Sequence, residues 1–227
     1  TNHFELEPNV FFDAFLPLTS TIKSDYYSKL DAVKTIRKEK GDLYLSHIPF
    51  SDFVVFDRVI SSLPKNSQFQ VSNSSAIRYA QLIEIDPSVE VFCNRGTSGI
   101  DGSTSTAIGA AVASNKVTVF VTGDIGFLYD SNALWNNYIP KNFKIILINN
   151  GGGGIFRILP GHEETPVFNT YFETAHCLTA SHLADVTTLE NGLQKLYQQN
   201  NKPVILEVFT PTLLNDAILL QFFKELV

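Results

Sequence analysis

Hydrophobic positions follow two alternating patterns along this chain. Residues 117–122, 144–148 and 204–209 are near-continuous runs of branched and aromatic side chains. Such runs mark strands buried on both faces, as in parallel sheets. Residues 69–72 and 89–93 are shorter runs of the same kind. Between them the pattern turns helical. The sequence predicts helices over about 76–85, over a small-residue stretch at 103–114, and over 127–137 and 180–199. Upstream, residues 26–40 place Leu30, Val33 and Ile36 at helical spacing. Residues 51–63 read as a further helix, with Ser51 as N-cap and Pro64 just past its end.

This strand–helix alternation predicts the α/β class: a doubly wound, mostly parallel sheet with helices on both faces. In such sheets ligands bind outside the carboxyl ends of the strands. Residues 1–18 are rich in Phe and acids, broken by Pro8 and Pro17, and show no sustained period. Residues 1–40 are therefore expected to be a linker or the remnant of a preceding domain, and residues 41–227 the ligand-binding domain.

Charge and cysteines narrow the function classes. A net charge of -6 argues against a nucleic-acid surface, which needs clustered Lys and Arg. The basic run Arg37-Lys38-Glu39-Lys40 contains an acid and reads as a solvated helix end. Cys93 and Cys177 form no CxxC pair, so redox and metal-cluster motifs are absent and a reduced, cytoplasmic setting fits. No apolar run approaches the roughly 20 residues of a membrane span, and no signal-peptide pattern opens the chain. The chain starts at Thr1 and contains no Met, which fits a fragment of a longer protein.

The candidate chemistry lies at strand ends. Thr122-Gly123-Asp124 and Asn149-Asn150-Gly151-Gly152-Gly153-Gly154 each follow a buried strand and should project into one crevice. A carboxylate and an amide oxygen suit a hard divalent ion such as magnesium, which shares its oxygen ligands with phosphate. The glycines expose backbone groups to phosphate or to the ion. Either motif alone is equally well a turn; the pairing at adjacent strand ends favours a site.

Gly123-Asp124-Ile125 followed by Asn149-Asn150 resembles the metal and diphosphate motif of thiamine-diphosphate enzymes, with Ile125 where Gly is usual. The wider context resembles one family among them, the 2-succinyl-5-enolpyruvyl-6-hydroxy-3-cyclohexene-1-carboxylate synthases of menaquinone biosynthesis. The residues that carry this resemblance are Asn94 to Gly102 with Ser105-Thr106-Ala107, Tyr129-Asp130 with Asn132-Ala133-Leu134, Gly153 to Phe156 with Leu159-Pro160, and Asn73-Ser74 with Arg78. The resemblance runs from about residue 51 to residue 160. Beyond that it is one of layout.

The resemblance implies roles residue by residue. Asp124 and Asn150 through side chains, and Gly152 through its carbonyl, would hold Mg2+ or Mn2+. Gly123, Asp124, Ile125, Gly126, Asn150, Gly152 and Ile155 would line the cofactor, and Ile100 would sit under its thiazolium ring. Ser74, Arg78 and Arg95 would bind substrate carboxylates, which Arg suits by bidentate geometry. Phe156 and Leu159, with Ile155, would form an apolar wall. Gly126 stands where the family often has Ser. The implied reaction decarboxylates 2-oxoglutarate and adds the succinyl unit to isochorismate. The activating Glu is expected in a separate N-terminal pyrimidine-binding domain, so no catalytic residue is assigned here and the fragment should be inactive alone. A homo-oligomer, dimer or tetramer, is implied, with the pyrimidine-binding domain supplied by a neighbouring subunit.

Two other readings stay open: the diphosphate domain or subunit of another thiamine-diphosphate 2-oxoacid decarboxylase or synthase, and a non-catalytic module binding a phosphate ligand. Arg78 reads equally as a surface residue paired with Glu84 or Asp86. Asp101 reads as a loop or helix-start residue. Ser103, Ser105 and Thr106 read as small packing residues or a helix N-terminus facing phosphate, since no nucleophile elbow is present. Trp135 is expected in the core or at a subunit interface, and Cys93 as a small buried residue. His3, His47, His162, His176 and His182 show no metal-ligand spacing, and His162 reads as a solvated loop residue.

Overall fold

A computed structural model describes residues 2–21, 23–158, 161, 173–175, 185–198 and 201–227. The chain divides into two units, Thr1–Lys40 and Gly41–Val227. In the first, helix α1 (Pro8–Phe15) opens on a proline, whose missing N–H has no helical partner to lose there. Phe11 stacks on Phe15 at 5.4 Å and meets Phe4 at 5.1 Å. Helix α2 (Tyr26–Leu45) runs five residues past the expected end at Lys40, so the basic run lies within a helix rather than at its end.

The second unit is built on a five-stranded sheet. Its order is β2-β1-β3-β4-β5, with every pairing parallel. Helix α3 (Asp52–Ser61) precedes β1 (Gln68–Val71). Helix α4 (Ser75–Ala80) leads to β2 (Glu90–Cys93), and α5 (Ser103–Val112) to β3 (Thr118–Gly123). Helix α6 (Asp124–Tyr129) follows β3 directly. Next come β4 (Phe143–Asn149), α7 (Val186–Tyr197), β5 (Val204–Phe209) and α8 (Asn215–Glu225). The winding reverses between β1 and β3, and a crevice opens at that point.

The hydrophobic runs explain the layering. All seven residues of β4 are buried, as are the first five of β3. On one face Phe53 of α3 meets Phe222 of α8 edge-on at 4.8 Å, and Phe56 stacks on Tyr79 of α4 at 5.4 Å. On the other, Ala107, Ile108 and Ala111 of α5 lie on Phe120, Phe143 and Ile145. Each buried aliphatic or aromatic side chain contributes about 1.5–3 kcal/mol.

Four local expectations are corrected. Ser51 is the N-cap residue of α3, but its hydroxyl makes no capping bond; Asn215 Oδ1 instead accepts the Asp52 N–H at 2.8 Å. The helix expected over 76–85 stops at Ala80. The helix expected over 127–137 begins earlier, at Asp124, and breaks at Asp130, where φ is -133°. Trp135, expected in the core or at a subunit interface, is 84% exposed in this chain, which sets aside the core alternative. Helix α8 carries no counterpart in the sequence-based reading.

Candidate functional site

The carboxyl ends of β1, β3 and β4 open on a cavity of about 560 Å³, within the range of small-molecule sites. Asp124, only 4% exposed, is among its lining residues. Its Oδ1 accepts the Ile125 N–H at 2.8 Å, and its Oδ2 accepts the Thr174 hydroxyl at 2.8 Å. Burial pushes the Asp124 carboxyl above the usual carboxylate range, while these bonds and one from the Gly152 N–H act in the opposite sense.

Asn150 follows β4 and lines the same cavity. Its Nδ2 donates to Asp52 Oδ2 at 2.8 Å, so Oδ1 is the amide atom left for a ligand. The chain then turns through Gly151 at φ 75° and Gly152 at φ 146°, a path that strongly favours glycine. A Cβ on Gly151 would also stand 2.8 Å from Thr212 Oγ1. The Gly152 carbonyl accepts the Gly154 N–H at 3.0 Å and keeps a second lone pair. Asp124, Asn150 and the Gly152 carbonyl thus offer oxygen donors suited to a hard divalent cation. Among the described residues no group of three or more His, Cys, Asp or Glu side chains is arranged to hold a metal.

Asp52, 3% exposed, lines the same cavity beside Asn150. Thr210, directly after β5, donates its hydroxyl to Asp52 Oδ1 at 2.5 Å. Burial pushes Asp52 up to about 6 against the pull of its hydrogen bonds. Asn215, which caps Asp52's N–H, donates to the Pro211 carbonyl at 2.8 Å.

The switch-point loops after β1 and β2 line the same cavity. Ser74 sits between β1 and α4 at φ 71° and ψ -134°, a strained conformation for a residue with a Cβ. Asn73 is buried and donates to the carbonyls of Asn94 and Gly99, fastening the β1 corner to the loop after β2. Arg78 and Arg95 line the cavity with Ser74. Neither arginine forms an ion pair among the described residues, so Arg78 is not paired with Glu84 or Asp86. Ile100, Ile125, Ile155 and Phe156 add apolar wall, and Gly123 lines the cavity with open space where a Cβ would project. Gly126 is buried in the first turn of α6, where a Cβ would meet Thr122 Oγ1 at 3.2 Å and the Ile100 carbonyl at 3.5 Å.

The start of α5 has another role. Asp130 Oδ2 accepts the Ser105 N–H at 2.7 Å and its hydroxyl at 3.0 Å, while the Thr106 hydroxyl donates to the Gly102 carbonyl. These donors are internally satisfied, so Ser105 and Thr106 act in packing rather than facing phosphate. Cys93 is half-buried and donates to Asn73 Oδ1 at 3.5 Å. Leu159, His162, His176, His182 and Cys177 lie outside the described residues. Sequence reasoning missed Asp52, Glu173, Thr174, Thr210 and Asn215, and it quoted Asn73 without a role. Thr210 carried a usable signal: it directly follows a buried strand, as Asp124 and Asn150 do.

The chain matches the family described as thiamine pyrophosphate enzyme, C-terminal TPP binding domain, over residues 74–208. It belongs to that family. The match begins at the strained Ser74 and ends in β5, so it takes in the β3 and β4 strand ends. The chain is 68% identical to a 2-succinyl-5-enolpyruvyl-6-hydroxy-3-cyclohexene-1-carboxylate synthase of Flavobacterium johnsoniae, over 100% of this chain and 43% of the relative. It is 60% identical to the protein of the same name from Flavobacterium psychrophilum, with the same coverage. A Bacteroides fragilis protein of that name is 41% identical over 79% of this chain and 35% of its own length. The chain therefore spans less than half the length of these relatives. Thiamine diphosphate is the cofactor of this domain family, and the glycine-lined, oxygen-rich cavity fits it. No helix among the described residues is long and apolar enough to cross a membrane.

Proposed function

We propose that this chain is the C-terminal, diphosphate-binding part of a 2-succinyl-5-enolpyruvyl-6-hydroxy-3-cyclohexene-1-carboxylate synthase. The full-length protein would decarboxylate 2-oxoglutarate and add the succinyl unit to isochorismate in menaquinone biosynthesis. The observation that carries the reading is the division of one cavity. Oxygen donors Asp124 and Asn150 come from the ends of β3 and β4, and Arg78 and Arg95 come from the segments after β1 and β2, with no acidic partner among the described residues.

In this reading Asp124, Asn150 and the Gly152 carbonyl hold Mg2+ or Mn2+ against the cofactor's diphosphate. Gly123, Ile125, Gly126 and Ile155 line the cofactor and exclude water from it, and Ile100 supports its ring. Ser74, Arg78 and Arg95 take the substrate carboxylates, and Phe156 and Leu159 complete the apolar wall. Bound thiamine diphosphate supplies the chemistry that cleaves carbon dioxide from a 2-oxoacid and transfers the remaining acyl unit. The chain's own residues bind and orient. The activating acid comes from a pyrimidine-binding domain outside this chain, on a neighbouring subunit of a cytoplasmic homo-oligomer, so this chain alone is inactive. Residues 1–40 are the end of the preceding domain or its linker.

The test is carbon dioxide release from 2-oxoglutarate by the full-length protein with thiamine diphosphate and Mg2+, with and without isochorismate. Isochorismate-dependent turnover supports the assignment. Decarboxylation of several 2-oxoacids with no response to isochorismate would move the protein to another thiamine-diphosphate activity.

A further inference from the structure

We infer that Asp52 is a positioning residue that fixes which end of the Asn150 amide faces the cofactor cavity. The inference rests on the metal-binding reading of Asn150 and deepens it. An amide presents a carbonyl oxygen on one side and an NH2 of nearly the same size on the other, so its packing alone does not choose between them. Only the oxygen can face a cation; the NH2 hydrogens would repel it. The choice therefore falls to the neighbour that the amide hydrogen-bonds, which is Asp52, a lining residue of the same cavity.

Asp52 makes that choice by its geometry. Its Oδ2 lies 2.8 Å from Asn150 Nδ2, and its Oδ1 is occupied by the Thr210 hydroxyl at 2.5 Å. A carboxylate so placed accepts and does not donate, so it selects the NH2 end and turns Oδ1 toward the cavity. Asp52 is itself anchored. It is buried at the start of α3, its N–H is bound by Asn215 Oδ1 at 2.8 Å, and Asn215 is tied to the Pro211 carbonyl. The bond joins residues 98 positions apart in sequence, so it links the start of α3 to the ends of β4 and β5. A hydrophobic pattern calls for an apolar residue at such a buried position; an acid there costs stability unless it serves its neighbours.

The test uses the full-length protein and reads binding rather than turnover. Thiamine diphosphate is titrated into wild type, Asp52→Asn and the exchange variant Asp52→Asn/Asn150→Asp, each with Mg2+ and with chelator. Asn at 52 can meet either end of the Asn150 amide, so the orientation is lost. Removal of such an outer partner of a metal ligand weakens metal-dependent binding by about 10–100-fold. We expect that loss in Asp52→Asn with Mg2+, no difference from wild type in chelator, and recovery to within about threefold in the exchange variant, where an NH2 at 52 again meets an oxygen at 150. A role in folding alone would lower the melting temperature of Asp52→Asn and leave the ratio of affinities with and without Mg2+ unchanged, which overturns the inference. If Asp52→Asn does not fold, the exchange variant decides: Mg2+-dependent binding supports the inference, and a folded or unfolded protein without it overturns it. Asp124→Ala is the control for the underlying reading. If Asp124→Ala keeps full Mg2+ dependence, the metal site itself is misassigned; if it loses that dependence while Asp52→Asn does not, only the positioning role fails.

Discussion

The two rims of the cavity differ in how far this chain completes them. At the β3–β4 rim both polar side chains are anchored by hydrogen bonds: Asp124 by Thr174, Ile125 and Gly152, and Asn150 by Asp52. At the switch-point rim Arg78 and Arg95 stand exposed with no acidic partner among the described residues. The contrast separates two jobs. A rim fixed by its own hydrogen bonds binds its ligand with little rearrangement. A rim whose guanidinium groups meet no acid among the described residues is suited to an acidic ligand. Cofactor affinity and substrate affinity should therefore respond to different substitutions.

The largest effect is expected at the fixed rim. Asp124→Ala in the full-length protein should weaken thiamine diphosphate binding in Mg2+ by about 100-fold or more, measured by equilibrium titration, with the fold intact by circular dichroism. Equal weakening in chelator would show that Asp124 acts through packing instead.

The second prediction concerns the acid beside Asn150. Asp52 is pushed up to about 6, above its ordinary 3.8. A folded-state value raised above the unfolded one favours the folded form while the group is protonated. That stability is fully present below pH 3.8 and is lost as pH rises through about 6. In metal-free protein, wild type should therefore lose about 2 kcal/mol relative to Asp52→Asn as pH rises across that window. Denaturant unfolding of both proteins at a series of pH values checks this, and parallel curves would refute it.

Arg95→Gln sharpens the contrast from the other side. Loss of a charge-assisted hydrogen bond to a carboxylate costs about 1.5–3 kcal/mol. The expected result is a KM for the 2-oxoacid raised about tenfold or more, with cofactor affinity unchanged. A parallel loss of cofactor affinity would join the two rims into one unit.

The smallest effect is expected at Gly126→Ser. Its new Cβ would press on Thr122 Oγ1 at 3.2 Å, which a shift of a few tenths of an ångström relieves. The melting temperature should shift by an amount equivalent to about 1 kcal/mol or less. A larger loss would show that the approach of the Ile100 loop to α6 depends on glycine.

What the sequence made legible follows the same division between local and distant causes. The strands at 117–122, 144–148 and 204–209 could be read because burial on both faces leaves an unbroken apolar run. Asp124 and Asn150 could be read because each follows such a run. The Asp52–Asn150 bond could not, since no local pattern links residues 98 apart. The helix over 127–137 was misplaced for a related reason. Asp130 is drawn to the Ser105 N–H and hydroxyl, 25 positions away, and the helix breaks there. Ser51 drew attention as the local N-cap type, whereas the cap is Asn215, from the far end of the chain. Arg78 read equally as a surface residue paired with Glu84 or Asp86, and only the folded chain places it with Ser74 and Arg95 in the lining of one cavity.

The most direct measurement is a calorimetric titration of thiamine diphosphate into the wild-type full-length protein, once with Mg2+ and once with chelator. The oxygen donors at the β3–β4 rim predict an affinity at least about tenfold higher with Mg2+. Equal affinity in the two conditions would contradict a metal-bridged diphosphate site at Asp124 and Asn150.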